Sequence, residues 1–503
     1  MGEDMFSQAK VTWRGSLAFD LLALSVVLAI WLIVQVGDFS RESAFWVLEV
    51  LLAVYVVARL KLLSSTHPGG LLTPVGIFFL FQFGVQVVIG NISLPFYTSH
   101  FNAGWDYLYE SMIVVALAAI ALMIAVSFHG WYKLGARLEE LTLGKIPKFK
   151  LNIFVSVVLL IVSTLVYLYS MSIGVLGYSD SSTVGNYANT ASYAQYFIYI
   201  SDIGYIVLLI SYYVKLNEPE NIAARNVFVC ALLIRVTLAL MSGMKAELFF
   251  IVICLAIMHF IVKRKLPKWI ILLPVVVVVT YGVYDSYRAM LRSDGGSRME
   301  LMLDAFTGSD LDIGATLTAM LARLNITESL SAILEYSNRT TLTSDDPTFL
   351  LDLILLPLTT FLPRALFPWK SMSTYGLWVT QQVYGLGDSV YSSSYVTVEG
   401  FYYLAGGILL VFVGFLTLGF FLELVGGFLK STRTNPIAAA IFLMLCYKVF
   451  LEASTPVDIV TPCVRGMLVF GLASYLLVGW RYQYRLRAKF RNNDEQLRVV
   501  ASR

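Results

Sequence analysis

The chain has 503 residues, 58% of them hydrophobic and only 14% charged, with a mean hydropathy of +0.74. That composition excludes a soluble globular domain. The formal net charge of +3 selects no class of partner, because in a chain this apolar the placement of cations counts for more than their sum.

Apolar segments near the ~20 residues that cross a hydrocarbon core recur along the whole chain, so helices and not a barrel satisfy the backbone in lipid. Nine spans are predicted over about 16–36, 44–63, 71–90, 109–130, 151–173, 194–214, 226–242, 246–262 and 269–285. Three more follow a long polar stretch, over about 400–424, 435–452 and 463–481. The first segment precedes neither a small-residue cleavage motif nor a soluble domain and reads as a retained span. Cys230, Cys254, Cys446 and Cys463 lie in or beside spans without metal-ligand spacing and read as packing residues. The expected fold is therefore all-α: one polytopic membrane domain over 1–503 with about 12 transmembrane helices.

The cations test this layout. Clusters at Lys10 and Arg14, Arg59 and Lys61, Lys133 to Lys150, Lys215 and Arg225, Lys263 to Lys268, Lys430 and Arg433, and the tail from Arg481 all fall on one face. The positive-inside rule makes that face cytoplasmic, together with both termini. The run Thr348 to Leu362 is shorter than a span, is bounded by Pro347 and Pro363 and contains Asp352 and Pro357. If it crossed, Lys430, Arg433 and the basic tail would stand outside, so it reads as a short or re-entrant helix. The stretch 286–399 then forms a large extracytoplasmic loop with short helices. Within it, Arg323 to Asn338 carries Leu324, Ile326, Leu330, Ile333 and Leu334 at helical spacing and predicts an amphipathic helix.

The remaining cations break the rule, among them Arg41, Arg235, Lys448 and Arg465. Lys245, Arg288, Arg292, Arg298, Arg323, Arg339, Arg364 and Lys370 lie in or beside external segments. A cation at membrane depth costs roughly 2.5–3.5 kcal/mol and so needs a partner or a polar cavity. Glu247, Asp285, Glu328, Glu452 and Asp458 are available for ordinary ion pairs. The external bias toward arginine nevertheless suits an anionic headgroup, because a guanidinium binds diphosphate or carboxylate in a bidentate fork.

Three stretches of the C-terminal half carry a resemblance. "PRALFPWKS", from Pro363 to Ser371, resembles the Pro-Arg-x-Leu-Trp-Pro-x-Lys-Pro signature of the oligosaccharide repeat-unit polymerases, the Wzy-type O-antigen and exopolysaccharide family. "SGMKAELFFIVI", Ser242 to Ile253, resembles that family's small-Gly-x-Arg turn, and "VEGFYYLAGG", from Val398, its Glu-aromatic-Gly opening of a span. The chain departs from the pattern at Phe367, Ser371 and Lys245, where tryptophan, proline and arginine are usual.

The resemblance implies a glycosyltransferase of the bacterial inner membrane, active in lipopolysaccharide or exopolysaccharide synthesis. It would transfer a growing glycan from undecaprenyl diphosphate to a lipid-linked repeat unit at the outer face, without a metal or other cofactor. Implied partners are the lipid-linked oligosaccharide, membrane lipid and a chain-length regulator protein; no nucleic acid is expected. Lys245, Arg288, Arg292, Arg323, Arg339, Arg364 and Lys370 would bind the diphosphate, with Trp369 and Tyr375 stacking on sugar. Glu399 and Glu247 are the carboxylates suited to accept the hydroxyl proton. Asp310-Leu-Asp312 has the spacing of a divalent-ion site, but in an external loop it reads as a solvated turn, as does Asp345-Asp346. His67, His129 and His259 lie near cytoplasmic span ends, and only His100 is external. The alternatives are an O-antigen ligase-like transferase, which the lack of a histidine in the large loop disfavours, and a lipid-linked oligosaccharide flippase.

Overall fold

The computed structural model describes residues 2–37, 39–96, 104–142, 151–177, 181–293, 298–308, 313–340, 348–359, 375–386, 394–447 and 455–477. The chain divides into two compact units. Unit 1 takes residues 1–141, 312–430 and 445–465, and unit 2 takes 142–311, 431–444 and 466–503.

Unit 1 opens with α1 (Gly2–Val36), α2 (Arg41–Thr66), α3 (Pro74–Phe79, continued as a π-helix over Leu80–Ile89), α4 (Trp105–Ser127) and α5 (Gly130–Thr142). Unit 2 is built from α6 (Ile153–Ser172), α7 (Ser181–Asn217), α8 (Ile222–Ser242), α9 (Lys245–Lys263), α10 (Leu273–Ser293) and α11 (Arg298–Gly308). The chain returns to unit 1 through α12 (Ile313–Leu324), α13 (Ile326–Arg339), α14 (Phe349–Thr359), α15 (Tyr375–Trp378, with a π turn over Val379–Val383) and α16 (Val398–Phe428). Two helices follow, α17 (Pro436–Leu445) and α18 (Pro456–Leu476).

Among the described residues, nine helices are long and apolar enough to cross a membrane: Ser16–Val36 within α1, α2, α4, α6, Tyr196–Asn217 within α7, α8, α9, α16 and α18. The other three expected spans overlap the shorter apolar helices Pro74–Ile89 and Pro436–Leu445 and α10, none of which is among these nine. Short polar caps start these rods where the sequence supplies them. Ser40, Asn152, Asn221 and Asn325 each accept a backbone N–H three residues on, and Thr73 does the same ahead of Pro74 at the first helical position.

Asn325 also corrects one expectation. The predicted helix from Arg323 is two helices, because the Asn325 carboxamide accepts the Glu328 N–H at 3.1 Å and begins α13 there. The inner face of α13, with Ile326, Leu330, Ile333 and Leu334, is buried against α4 and α16.

In unit 1, α4 is central and packs against α1, α2, α13 and α16. The long α16 is interrupted at Gly406 and Gly407, and Gly407 (φ 67, ψ −164) holds a conformation closed to other residues. In unit 2, α7 lies against α6, α8 and α9, and α10 packs on α9 and α11. Ends that the alternation of spans assigns to one face meet. Lys430 pairs with Glu140 at 2.5 Å, Arg41 with Asp106 at 3.5 Å, and the Asn152 N–H donates to the Leu477 carbonyl at 2.8 Å.

Arg59, one of the cations grouped above on the cytoplasmic face, is turned inward and is 2% exposed. Its guanidinium donates to Asp20 Oδ2 at 2.5 Å, Ser16 Oγ at 2.6 Å and the Met123 carbonyl at 3.0 Å. Tyr55 donates to the other Asp20 oxygen at 2.8 Å. Removing one partner leaves an uncompensated buried charge, which costs about 3–5 kcal/mol. Arg59→Ala is therefore expected to lower the melting temperature in detergent sharply, and joint replacement of Asp20 and Arg59 by apolar residues of similar volume to lower it much less.

Candidate functional site

Two polar assemblies, one in each unit, hold four of the predicted site residues: Lys245, Glu247 and Arg288 in unit 2 and Glu399 in unit 1. In unit 2 the assembly forms where α8 turns into α9. Gly243 adopts a left-handed conformation (φ 69) that lets the chain leave α8 and restart at Lys245. The last turn of α8 exposes carbonyls that its own helix cannot satisfy. Three side chains of α10, on one face at i, i+3 and i+4, supply the donors. Tyr284 Oη donates to Ala239 (2.9 Å), Tyr287 Oη to Met241 (3.1 Å) and Arg288 Nε to Gly243 (2.9 Å).

Lys245 is buried, with Nζ 3.2 Å from the centroid of the Tyr281 ring. Glu247, two residues on, accepts from Tyr167 Oη at 2.5 Å, and Tyr205 Oη stands at 3.5 Å. Arg235 joins them from α8. Its guanidinium lies 4.0 Å from the Tyr205 ring centroid and 5.6 Å from that of Tyr167, and it donates to the Ser201 carbonyl. Its Nε and Nη1 have no hydrogen-bond partner among the described residues, although the side chain is 1% exposed. The structure thus brings together Lys245, Glu247 and Arg288 and adds Arg235, Tyr167, Tyr205 and Tyr281. The chain backbone of Arg292 continues α10; its side chain lies outside the described residues.

In unit 1 the assembly surrounds Glu399, in the first turn of α16. The helix starts from Thr397, a β-branched residue at φ 63, ψ 145, whose hydroxyl accepts the Gly400 N–H at 2.8 Å. Such backbone strain in a non-glycine residue is held only where its surroundings impose it. Glu399 is fully buried, and Gln82 Nε2 donates to both of its oxygens at 3.1 and 3.0 Å. Gln82 belongs to the π-helix Leu80–Ile89, a helical form that clusters at functional positions. Among the described residues no cation pairs with Glu399. Burial raises the pKa of the nearby Tyr395 phenol, and the Glu399 carboxylate raises it further, so Tyr395 remains a hydrogen-bond donor at neutral pH.

Other predicted residues of unit 1 stand apart from this carboxylate in character. Tyr375 is packed against Phe349 and Phe401 and donates to Asp352 at 2.6 Å. Arg323 and Arg339 are exposed, and Arg339 pairs with Glu335 of its own helix at 2.6 Å. Arg364, Trp369 and Lys370, with all of "FLPRALFPWKS", lie outside the described residues, as do His100, Asp310, Asp312, Asp345, Asp346, Lys448 and Glu452.

A third group in unit 1 was not visible in sequence. His67, His129 and Glu423 offer donor atoms that all lie within 4.8 Å of one another. Burial lowers the His129 pKa below the ordinary histidine range, with Lys133 and His67 acting in the same direction and Glu423 opposing.

The seat of Arg235 depends on a missing side chain. A Cβ at Gly204 would stand 2.7 Å from Ser163 Oγ and 2.8 Å from Arg235 Nε. Gly204→Ala is expected to cost roughly 1–3 kcal/mol, the range for overpacking a filled interior; an unchanged melting temperature would show that the guanidinium has room to move. Comparison of the chain with protein-family models, curated proteins and solved structures finds no match, so its own residues are the ground for a functional reading.

Proposed function

We propose that the protein is a polysaccharide polymerase of the bacterial inner membrane, with about twelve spans and both termini cytoplasmic. It moves a growing glycan from undecaprenyl diphosphate to a lipid-linked repeat unit at the outer face. The observation that carries the reading, beside the resemblance of the C-terminal stretches, is the gathering of Lys245, Glu247, Arg235 and Arg288 at the α8–α9 turn. The alternation of spans assigns that turn to the outer face.

In the reaction, the anomeric C–O bond to the diphosphate breaks and the diphosphate leaves with the electron pair. The acceptor hydroxyl oxygen bonds to the anomeric carbon and its proton passes to a carboxylate. Glu247 and Glu399 are the candidates for that acceptor, each buried and held by a neutral donor. Fixed cations near the leaving group stabilise the charge that develops there, and a water-poor site strengthens the effect.

The arginines buried within the spans, Arg59 and Arg235, favour a second reading, a lipid-linked oligosaccharide flippase. Purified protein given lipid-linked repeat units separates the two, since only a polymerase lengthens the product. In cells, Lys245→Ala, Glu399→Gln and Arg364→Ala are each expected to leave single-repeat product and no polymer, with normal amounts of protein in the membrane. Chains of ordinary length in all three variants would overturn the assignment.

A further inference from the structure

Three side chains distant in sequence converge at the end of unit 1 that the cations mark as cytoplasmic. His67 follows α2, His129 follows α4 and Glu423 lies in the last turns of α16. This is not a surface cluster of acids: the His67 and Glu423 side chains are 1% and 0% exposed. His67 Nε2 stands 3.0 and 3.2 Å from the two Glu423 oxygens, and His129 Nδ1 is buried with no side-chain hydrogen-bond partner among the described residues. Beside them is a cavity of about 20 Å³, lined by both histidines together with Ser16, Arg59 and Ser127. A volume of that size holds one water.

We propose that His67, His129 and Glu423 bind one divalent transition-metal ion, with a water in the adjoining cavity as the fourth ligand. Two imidazoles and one carboxylate form a donor set that zinc accepts at bond lengths of ~2.0–2.2 Å. Donors on a tetrahedral ion with such bonds stand roughly 3.3 Å apart. The His67–Glu423 separations of 3.0 and 3.2 Å are close to this value, and the His129 donor, within 4.8 Å of the other two, has to close in on them when the ion binds.

The hydrogen bonds around His67 say what binding changes. The Gly69 N–H points at Nδ1 at 3.2 Å, which places the ring proton on Nε2 against Glu423. Coordination through Nε2 moves that proton to Nδ1, and the Gly69 N–H turns away, in a Pro68-Gly69-Gly70 turn that can accommodate it. The positive charge of Arg59 is already matched by Asp20, so the ion faces the Glu423 carboxylate as its own counter-charge. Bound there, it ties together the cytoplasmic ends of α2, α4 and α16. This inference is independent of the glycan-transfer reading.

The test uses full-length protein in detergent, stripped with a chelator and titrated with zinc chloride by calorimetry. One equivalent is expected to bind in the micromolar range or tighter and to raise the melting temperature. His129→Ala and Glu423→Gln should each weaken binding at least about ten-fold. Cobalt added to the unaltered protein should give the visible absorption of a tetrahedral site, a reading that needs no variant to fold. Absence of saturable zinc binding, or an affinity unchanged in His129→Ala, would overturn the proposal.

Discussion

Hydrocarbon offers no hydrogen-bond partner, so each polar group carried into a span must meet its complement within the protein. In unit 1 the structure answers this constraint by pairing helices through polar side chains, while Arg235 Nε and Nη1 in unit 2 have no hydrogen-bond partner among the described residues. Arg59 of α2 reaches Asp20 and Ser16 of α1 and the Met123 carbonyl of α4, which fixes the rotation of three helices around one guanidinium. Asn91, just past the π-helix, donates to Glu49 of α2 at 2.8 Å. Gln82 holds Glu399 in the same manner. Apolar contacts alone, with lipid as apolar as leucine, would not choose among such rotations.

The same constraint bears on what the candidate cations can do. Arg288 holds the Gly243 carbonyl through Nε at 2.9 Å, which anchors the turn between α8 and α9 to α10. Lys245 stands over the Tyr281 ring, a cation–π contact between α9 and α10. Arg323 and Arg339 lie on exposed surfaces of α12 and α13, and Arg339 pairs with Glu335 one turn before it.

Hydropathy made the spans legible because twenty consecutive apolar residues have few alternatives. The starts of α9 at Lys245 and of α16 at Val398 lie within two residues of the spans expected from 246 and 400. What local pattern hid was partnership across the chain. Glu423 lies 356 residues from His67, and nothing near either residue announces the other. The division at Asn325 was missed because the apolar spacing continues through it, while the deciding bond runs from a side chain to a backbone N–H. The π-helix leaves no mark on periodicity either, since Leu80–Ile89 is apolar throughout except for Gln82, Gly84 and Gln86.

The interruption of α16 has a consequence for how this helix can change. Its 31 residues would measure ~46 Å as one straight rod, against a hydrocarbon thickness of ~30 Å. With Gly407 outside the helical region, azimuthal phase is not transmitted from one arm to the other. A residue gained or lost beside the glycine pair re-aims one arm alone. The arm that carries Glu399 and the arm that carries Glu423 are thus free to diverge separately, each answering to its own neighbours.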